Sequence, residues 1–473
     1  MHAISEADIK ARIERDNPWW DIKNRGALPE ASFKKRVYLA PFQALALNYS
    51  VRRAAILLGP RRVGKTVMIK QIIYEAISIN IPPTNILYAS IDTPLYSNLS
   101  LESFMLYLPS GGLGADRYLV VFDEIQYLKD WETHLKDLVD SYPNVKFIAS
   151  GSAAAALRLK SKESGAGRFS EFMLPPLTFY EFIDFTNRGE IIEQVNTNEW
   201  RVLDMDRMNG SFIDYLNFGG YPEAVLNEEI RNNPDQFIRT DIIEKVLLKD
   251  LPSLYGINDI QELNKLFMFL AYNAGNEASL INISQSSGLA APTIKRYIEY
   301  LESAFLIMKI STVDDNCRTL QRERHFKIFL NNPSMRAALF APVTASDTNL
   351  IGHLAESAVF SQWQHSPNSR HLRYARWKNE GEVDVVYLAE ASDKPLWVGE
   401  VKWSDRLTDN FSRETQSMEL FVRKHPMIRE AFFTTKTISG EYEIAGKPLN
   451  VRPTALYCYI VGRNITANLG KLS

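Results

Sequence analysis

Short apolar runs alternate with helical patterns over residues 54–150 of the chain. The segments AAILLG, NILYASID, YLVVFDE and VKFIASG each have the length and the continuous apolar character of a buried β-strand. Two predicted helices lie between these runs and are marked by apolar residues at helical spacing: Ile69, Ile72, Ile73 and Ala76 in the first, and Trp131, Leu135, Leu138 and Val139 in the second. Buried strands that alternate with helices predict an α/β fold, with a parallel sheet covered by helices on both faces.

The rest of the chain shows other patterns. Residues 179–276 are mostly helical in pattern, with interruptions at NFGGYPEAV and KDLPSLYGI. A compact helical stretch follows as far as Ile310, then a basic, irregular connector, and a final α+β segment begins at about Asn349. Near the N-terminus, Trp19 and Trp20 are expected to pack onto the α/β core rather than to dock a partner. A chain of 473 residues is too long for one ordinary domain, so roughly three are expected.

Composition and charge narrow the class of protein. Hydrophobic residues make up 45% of the chain and charged residues 23%, which is typical of a soluble globular protein. Two cysteines, Cys317 and Cys458, are too few for a disulfide framework and indicate the cytoplasm. No apolar run approaches the ~18 residues of a membrane span, so no membrane association is expected. With a net charge of −2, any surface that binds nucleic acid must be local.

The segment GPRRVGKT matches the phosphate-binding pattern G-x-x-x-x-G-K-[ST] at every position. Its glycines let backbone N–H groups point at phosphate, and the helix that follows presents its N-terminus to the same anion. The lysine is expected to reach the β- and γ-phosphates, and the threonine hydroxyl to bind Mg²⁺. The predicted nucleotide-binding residues of this loop are Gly59, Pro60, Arg61, Arg62, Val63, Gly64, Lys65, Thr66 and Val67.

The strand YLVVFDE ends in two carboxylates that suit nucleotide hydrolysis. Asp123 is placed to hold Mg²⁺ through water, and Glu124 to orient or deprotonate the attacking water. The next strand ends with Ser150 and Ser152, positions from which a hydroxyl could sense the γ-phosphate. Arg168 is a candidate for stabilising the transition-state charge, within the chain or on a neighbouring subunit, although a surface ion pair explains it equally well. Together with the phosphate-binding loop, these residues predict hydrolysis of a nucleotide.

The segments GPRRVGKT, FDEIQYLKDWE, GAGRFSEFMLPPLTFYEF and NFGGYPEAVL resemble AAA-type ATPases of bacteria and archaea that carry a C-terminal domain of unknown function. The resemblance implies an N-terminal helical segment (residues 1–45), an AAA+ core (46–178) and a helical lid (179–276). It implies ATP and Mg²⁺ as cofactors, and it places Arg168 at the Gly-Arg position of the family. An arginine that acts on a neighbouring subunit would require a homo-oligomer.

A predicted DNA-binding segment has the sequence ASLINISQSSGLAAPTIKRYIEYLESAFLIMKI. Its pattern is that of a helix, a turn at Gly288 and a second helix. In a helix-turn-helix, the second helix enters the major groove of DNA. The stretch also resembles the winged helices of the same family (residues 277–345), with a basic wing in KISTVDDNCRTLQRERHFKIFL. The alternative is a winged helix that only packs between domains. The predicted DNA-binding residues are Lys295, Arg296, Arg322 and Arg324.

The C-terminal segment GEVDVVYLAEASDKPLWVGEVKWS contains an acid, a spacer and an E-x-K triplet on an apolar strand. Residues two apart in a strand point to one face, so Glu400 and Lys402 are expected to project together, with Asp384 beside them. Two carboxylates can hold a hard divalent cation, and a lysine can orient or activate a water molecule. The helix GHLAESAVFSQW adds Glu356 as a further acid.

This set of residues resembles the core of PD-(D/E)XK nucleases, here over residues 346–473. The resemblance implies a second divalent metal ion, Mg²⁺ or Mn²⁺, held by Glu356, Asp384 and Glu400, with Glu400 and Lys402 as catalytic residues. On the residues alone, a salt-bridged amphipathic strand is the alternative. The sequence leaves two functions open. One is an ATPase that controls cleavage of nucleic acid, with DNA as the expected substrate, in genome defence or mobile-element handling. The other is a signalling switch whose nuclease-like fold only binds protein or DNA.

Overall fold

The structure of the chain is a computed structural model, and it describes residues 5–21, 28–97, 99–109, 116–151, 167–196, 199–317, 325–377, 381–390, 392 and 394–469. The chain divides into two compact units. Unit 1 comprises residues 1–175 with 468–473, and unit 2 comprises residues 176–467. Each unit contains a hydrophobic cluster of buried side chains of its own.

Unit 1 is built on a five-stranded parallel sheet. Its strands are β1 (Ala54–Leu58), β2 (Ile86–Ser90), β3 (Tyr118–Asp123), β4 (Val145–Gly151) and β5 (Phe169–Met173), in the order β2-β3-β4-β1-β5. The first four strands coincide with the four apolar runs, which confirms the predicted parallel α/β sheet. The hydrophobic pattern does not reveal β5, because FSEFM is partly exposed along its whole length.

The helices of unit 1 follow the predicted periodicity. Its helical segments are α1 (Glu6–Asp16), α2 (Leu39–Ala46), α3 (Lys65–Ser78) and α4 (Trp131–Ser141), with 3₁₀ turns at Pro18–Trp20, Pro29–Ser32, Pro83–Asn85, Pro94–Tyr96, Glu102–Tyr107 and Ile125–Tyr127. The apolar stripe predicted for α3 is buried, and the stripe of α4 packs into one core with side chains of β1 to β4. Helical spacing thus identified the inward faces of both helices.

The N-terminal segment caps the edge strand β2 of this sheet. Asn17 is fully buried; its amide nitrogen donates to the carbonyl of Tyr88 (2.9 Å) and its oxygen accepts the N–H of Tyr88 (2.7 Å). Trp19 and Trp20 donate their indole N–H groups to the carbonyl of Ile86, at 3.1 and 2.8 Å. Both tryptophans therefore pack on the core, as expected, and side chains satisfy backbone groups that an edge strand would otherwise leave unpaired.

Unit 2 begins with a mostly helical part, as the pattern over residues 179–276 predicts. A two-stranded antiparallel sheet of β6 (Ile192–Asn196) and β7 (Glu199–Val202) interrupts it. The helices of this part are α5 (Phe179–Phe185), α6 (Met205–Phe218), α7 (Pro222–Leu226), α8 (Glu228–Asn232), α9 (Leu251–Tyr255) and α10 (Ile260–Tyr272), with π-helical segments at Asp235–Glu244 and Val246–Asp250 and a 3₁₀ turn at Gly189–Ile191.

A nine-stranded sheet forms the rest of unit 2. Its strands are β8 (Glu277–Ala278), β9 (Ile307–Val313), β10 (Phe326–Leu330), β11 (Leu372–Trp377), β12 (Gly381–Leu388), β13 (Pro395–Glu400), β14 (Glu430–Thr435), β15 (Gly440–Ile444) and β16 (Lys447–Pro453). The order is β15-β16-β14-β13-β12-β11-β9-β10-β8. Parallel pairing of β9 with β11 joins the strands of the predicted DNA-binding segment to those of the C-terminal segment, so the two segments contribute to one sheet.

Seven helices accompany this sheet among the described residues. They are α11 (Leu280–Ser287), α12 (Ala291–Ser303), α13 (Ser334–Leu339), α14 (Thr348–Trp363), α15 (Phe411–Glu414), α16 (Gln416–Lys424) and α17 (Thr454–Asn468), with a 3₁₀ turn at Pro367–His371. Helix α11 ends at Gly288, whose φ of +75° is the left-handed conformation that favours glycine. Helix α12 follows and buries the stripe that its spacing predicts, which consists of Ile294, Tyr297, Ile298 and Leu301.

Neither a membrane segment nor a disulfide is found in the described part of the chain. No helix there is both long and apolar enough to cross a membrane. Cys317 and Cys458 are buried, free thiols. Burial raises the pKa of both thiols, so both stay protonated and unreactive at neutral pH.

Candidate nucleotide site and a buried carboxylate–lysine cluster

The phosphate loop (residues 59–66) runs from the end of β1 into α3, and glycines shape it. Gly64 caps α3 with a φ of +95°, a conformation that glycine adopts at little cost. A Cβ atom on Gly59 would collide with the backbone carbonyl of Leu174, so this close approach requires glycine. The loop leads directly into the first turn of α3, where backbone N–H groups lack intrahelical acceptors and suit an anion.

Lys65 and Thr66 open α3 and are placed for phosphate and metal chemistry. The Lys65 side chain is buried, and its ammonium donates to the carbonyls of Gly59 (3.0 Å) and Pro60 (2.7 Å). A phosphate oxygen is a stronger acceptor for an ammonium group than a neutral carbonyl. The Thr66 hydroxyl donates to Oδ2 of Asp123 at 2.8 Å. The structure therefore brings the predicted loop and the predicted metal-binding carboxylate together.

Asp123 is buried and is held by hydroxyl groups from three elements. Besides Thr66, the Tyr88 hydroxyl donates to Oδ2 at 2.9 Å, and the Ser150 hydroxyl donates to Oδ1. Burial, followed by the negative charge of Asp123, raises the pKa of Tyr88 well above its ordinary value, so the phenol stays protonated and donates. No sequence pattern identifies Tyr88, because only the pairing of β2 with β3 brings it to Asp123.

Glu124 follows Asp123 in a left-handed backbone conformation, with a φ of +53°. Its N–H donates to Oδ1 of Asp123 and to the hydroxyl of Ser150, both at 3.2 Å. Its carboxylate accepts the side-chain N–H of Gln126 at 2.5 Å. The backbone of Glu124 is thus fixed directly beside Asp123, and its carboxylate has an orienting donor.

Two arginines brace the phosphate loop in ways that no motif indicates. Arg36 is buried and donates to the carbonyls of Val63 (3.0 Å) and Pro175 (3.1 Å). Arg61 donates to the hydroxyl of Tyr127, just after β3, at 2.9 Å. Arg36 lies outside every recognisable pattern, so only the tertiary structure identifies it as a support for the loop.

The donors at the phosphate loop fit a magnesium ion. The Thr66 hydroxyl and the Asp123 carboxylate are hard oxygen ligands within 2.8 Å of each other. Mg²⁺ prefers such ligands and usually keeps several of its waters, with phosphate oxygens completing its shell. No further protein ligand is needed for this mode of binding.

Arg168 lies at the opposite end of β1 from the phosphate loop. Its carbonyl accepts the N–H of Ala54, the first residue of β1, at 2.9 Å. Its guanidinium pairs with Asp140 at 2.5 Å, and both side chains are partly exposed. The structure therefore does not bring Arg168 to the phosphate loop of its own chain, and its contacts are those of a surface ion pair. Ser152, the other predicted γ-phosphate contact, lies outside the described residues.

In unit 2, all four predicted residues of the C-terminal site line one cavity of about 780 Å³. Glu356 comes from α14, Asp384 from β12, Glu400 from the end of β13, and Lys402 from the residues just after β13. The lining of the cavity contains both acidic and basic side chains. Its charged lining residues are Glu277, Lys327, Glu356, Arg376, Glu382, Asp384, Glu400, Lys402, Arg406 and Lys436.

Lys402 joins the two carboxylates that the E-x-K pattern predicts beside it. Its ammonium lies 2.6 Å from Oε1 of Glu400 and 3.2 Å from Oδ2 of Asp384. The same Asp384 oxygen accepts the backbone N–H of Val401 at 2.9 Å. Glu400 and Lys402 thus project together, as alternation along a strand predicts.

Lys327 of β10 is the unexpected member of this group. Its side chain is 5% exposed, and its ammonium lies 2.7 Å from Oε1 of Glu356 and 2.7 Å from Oε1 of Glu382. Oδ1 of Asp384 is 4.0 Å away. No motif identifies Lys327 or Glu382 as a residue of this site, although a lysine inside the apolar run FKIFL is a usable signal. We call Lys327, Glu356, Glu382, Asp384, Glu400 and Lys402 the carboxylate–lysine cluster.

Burial and charge act together on the pKa values of this cluster. Burial, with the charge of Asp384 adding to it, raises the pKa of Glu356 to about 7 and that of Glu400 to about 8. Burial alone would lower the pKa of Lys327 and Lys402, but the surrounding carboxylates outweigh it and hold both above the ordinary value. Both lysines therefore stay charged at neutral pH.

The predicted metal ligands of unit 2 do not form a ready-made metal site. Within the described residues, no group of three or more His, Cys, Asp and Glu side chains is arranged to hold a metal ion. Lysine ammonium groups lie between Glu356, Asp384 and Glu400 instead. Oε2 of Glu400 is buried and has no hydrogen-bond partner among the described residues. The second divalent ion thus stays a prediction.

The predicted DNA-binding residues are placed only in part. Lys295 and Arg296 are exposed on α12, the second helix of the predicted helix-turn-helix. Arg322 and Arg324 lie outside the described residues. The antiparallel pair β9 and β10 follows α12, with Ile310 opposite Lys327 in its register.

Comparison with known families identifies the class of unit 1. The model of an AAA domain family matches residues 51–183, which contain the phosphate loop, Asp123 and Glu124. A domain of unknown function (DUF8612) matches residues 209–347. Residues 51–183 are therefore similar to an AAA domain, in agreement with the resemblance seen in the sequence.

Similar proteins occur in archaea and bacteria. An uncharacterized protein of Methanocaldococcus jannaschii is 25% identical over 320 residues, covering 64% of this chain and 66% of the relative, just under two thirds of its length. An uncharacterized protein of Haemophilus influenzae is 26% identical over 368 residues, covering 75% of this chain and 84% of the relative.

Solved structures with partial likeness include a Thermotoga maritima RuvB variant and Cdc6p from Pyrobaculum aerophilum. The RuvB variant has 17% identity and a TM-score of 0.31, covering 59% of this chain and 91% of that one. Cdc6p has 14% identity and a TM-score of 0.29, covering 67% of this chain and 96% of that one.

Proposed function

We propose that the chain binds and hydrolyses ATP at the phosphate loop, and that the nucleotide cycle controls a nucleic-acid-facing unit 2. The observation that carries the first part is the convergence of Lys65, Thr66, Asp123 and Glu124 at the end of the parallel sheet. Each of the chemical tasks in phosphoryl transfer to water has a residue there: phosphate binding, metal binding and water activation.

Each residue of the site has its own role in binding or hydrolysing ATP. Lys65 exchanges its carbonyl partners for phosphate oxygens, and the first turn of α3 adds backbone N–H donors. Thr66 and Asp123 would hold Mg²⁺, which neutralises charge on the phosphates when bound. Glu124 accepts a proton from the attacking water or orients it. Arg168 could act only on a neighbouring subunit, so its catalytic role carries with it the proposal of a homo-oligomer.

The second part of the proposal rests on basic side chains at two places in unit 2. Lys295 and Arg296 are exposed on the helix that a helix-turn-helix inserts into DNA. Arg376, Arg406 and Lys436 line the cavity around the carboxylate–lysine cluster. Both sets of side chains suit phosphates, although the chain as a whole is nearly neutral.

Removing the charges of α12 should weaken DNA binding in a salt-dependent way. In Lys295→Ala/Arg296→Ala, we expect the slope of log affinity against log salt to fall in magnitude by about 2, because each lost phosphate contact removes about 1. Fluorescence anisotropy with duplex DNA at several salt concentrations measures this slope. Lys265→Ala on α10, an exposed lysine outside the helix-turn-helix, is the matched control. An unchanged slope in the double variant would rule out α12 as the DNA-binding helix.

Cleavage of nucleic acid is the second candidate function. It is favoured by Oε2 of Glu400, which is buried without a hydrogen-bond partner beside Lys402 and Asp384. A buried, unsatisfied carboxylate oxygen is costly unless a cation, a water or a substrate completes it. The alternative is an inactive nuclease-like fold that binds protein or DNA and serves a signalling switch.

A cleavage assay separates these two functions. Wild-type protein with Mg²⁺ or Mn²⁺ is expected to nick single- or double-stranded DNA or RNA. Glu400→Ala is expected to abolish nicking, because it removes a residue that is proposed both to bind the metal ion and to act in catalysis. ATP turnover in Glu400→Ala should equal that of the wild type, since the residue lies in unit 2. Absence of nicking by the wild type under all these conditions, with and without ATP, would leave only the signalling alternative.

A further inference from the structure

Lys327 lies where oxygen ligands converge on one point. Its ammonium contacts Glu356 and Glu382 at 2.7 Å each and lies 4.0 Å from Asp384. The face of the Tyr374 ring is 5.2 Å away, and only 5% of the lysine side chain is exposed. The carboxylates belong to α14 and β12, whereas the lysine comes from β10. The ammonium therefore occupies an enclosed position among carboxylates from separate elements.

Carboxylates outnumber ammonium groups in this cluster. It contains four carboxylates and two ammonium groups, namely Glu356, Glu382, Asp384 and Glu400 against Lys327 and Lys402. Buried carboxylates require a cation or a proton, since an isolated buried charge is strongly unfavourable. Lys327 supplies one of these cations as a covalent part of the chain.

Asp384 divides the cluster into two cation positions. Oδ1 faces Lys327, while Oδ2 faces Lys402 and accepts the N–H of Val401. The first position is bounded by Glu356 and Glu382, and the second by Glu400. The predicted E-x-K chemistry belongs to the second position. Removal of Lys327 would therefore open the first position and leave the second intact.

The size of the first position suits a divalent cation. Ca²⁺ binds carboxylate oxygens at about 2.3–2.6 Å, and Mn²⁺ also prefers such ligands. The 2.7 Å distances from the Lys327 nitrogen to Glu356 and Glu382 would need to shorten by only a few tenths of an ångström. Oδ1 of Asp384, at 4.0 Å, would have to move closer to become the third ligand. Methionine is uncharged and one atom shorter than lysine, so Lys327→Met would open this point without a large change in packing.

We propose that Lys327 is a built-in cation that takes the place of a divalent metal ion between Glu356, Glu382 and Asp384. Removing its charge converts this position into a divalent-cation site. The inference goes beyond the proposed function, because it concerns the Oδ1 side of Asp384 and holds whether or not the chain cleaves nucleic acid.

The test counts Mn²⁺ ions bound to the nucleotide-free full chain, by equilibrium dialysis and by electron paramagnetic resonance of free Mn²⁺. An Asp123→Asn background removes the metal-binding carboxylate of the phosphate loop from the count. In that background, Lys327→Met is expected to bind about one additional Mn²⁺ per chain. Lys327→Arg keeps the charge and should bind no more Mn²⁺ than the parent. Equal Mn²⁺ binding by Lys327→Met and its parent overturns the proposal.

Folding of the variants is followed by circular dichroism, because Lys327→Met leaves buried carboxylates without their cation. Addition of Mn²⁺ or Ca²⁺ should raise the melting temperature of Lys327→Met more than that of its parent. The double variant Lys327→Met/Glu356→Gln removes a ligand together with the lysine, and it should lose the extra ion. A Lys327→Met chain that stays unfolded at every Mn²⁺ and Ca²⁺ concentration also overturns the proposal.

The Mn²⁺ count and the cleavage assay test separate proposals, and a negative result in one does not decide the other. Absence of nicking by the wild type rejects the cleavage function and leaves the number of bound Mn²⁺ ions unaffected. Metal-dependent nicking by the wild type, with no extra ion in Lys327→Met, rejects the role of Lys327 and leaves the cleavage function in place.

Discussion

Glu124→Gln is expected to lower ATP turnover by about two to four orders of magnitude while ATP binding persists, because the amide cannot accept a proton from the attacking water. Glutamine keeps the size of the side chain and can still meet Gln126, whose N–H donates to the Glu124 carboxylate at 2.5 Å. The backbone N–H contacts that fix this residue beside Asp123 do not depend on its charge. The variant should therefore accumulate bound ATP.

Phosphate release and retention of radiolabelled ATP on the same sample measure the two expected effects. Asp137→Asn on α4 removes an exposed carboxylate of the same unit and should leave turnover unchanged. If Glu124→Gln hydrolyses ATP at the wild-type rate, another group activates the water. In that case Asp123 and its hydroxyl partners would have to be reconsidered as the catalytic group.

Lys65→Ala is expected to weaken ATP binding by about two to four orders of magnitude. The ammonium contributes charge-assisted bonds to two phosphates, each worth about 1.5–3 kcal/mol, and 1.4 kcal/mol corresponds to tenfold in affinity. The carbonyls of Gly59 and Pro60 lose a donor in this variant, so its melting temperature should be measured alongside.

Isothermal titration calorimetry with a slowly hydrolysed ATP analogue provides the affinity. Lys136→Ala, which removes an exposed lysine of α4, is the matched control and should bind like the wild type. Normal binding by a folded Lys65→Ala chain would mean that the phosphate groups are held elsewhere. In the absence of nucleotide, DNA binding through α12 should equal that of the wild type in this variant, because that helix belongs to unit 2.

The nucleotide site is predictable from the sequence because its chemistry is local. Lys65 and Thr66 follow the loop glycines directly, and Asp123 and Glu124 end an apolar strand. The strand, the loop and the helix are determined by residues close together in the chain, so the spacing of the site residues can be recognised in the sequence. The residues that hold the loop and Asp123 in place could not be predicted in this way. Arg36 and Tyr88 reach the loop and Asp123 only because of the sheet order and the path of the N-terminal segment.

The same distinction applies to unit 2. Glu400 and Lys402 are two residues apart, and alternation along a strand suffices to predict that they meet. Lys327 and Glu382 lie on β10 and β12, two strands that β9 and β11 separate in the sheet, so their contact is visible only in the folded unit. The sequence predicted carboxylates that hold a metal ion. The structure shows a lysine from another strand among them, which changes the expected charge of the site.

By itself, the sequence determined the parallel α/β sheet, the phosphate loop with its two carboxylates, the helix-turn-helix pattern and the E-x-K pair. Each of these depends on the periodicity of apolar residues or on groups close together in the chain. The tertiary structure decided the hydroxyl partners of Asp123, the distance of Arg168 from its own phosphate loop, and the presence of Lys327 among the carboxylates. These depend on which strands become neighbours, and that follows from packing of the whole unit rather than from any local pattern.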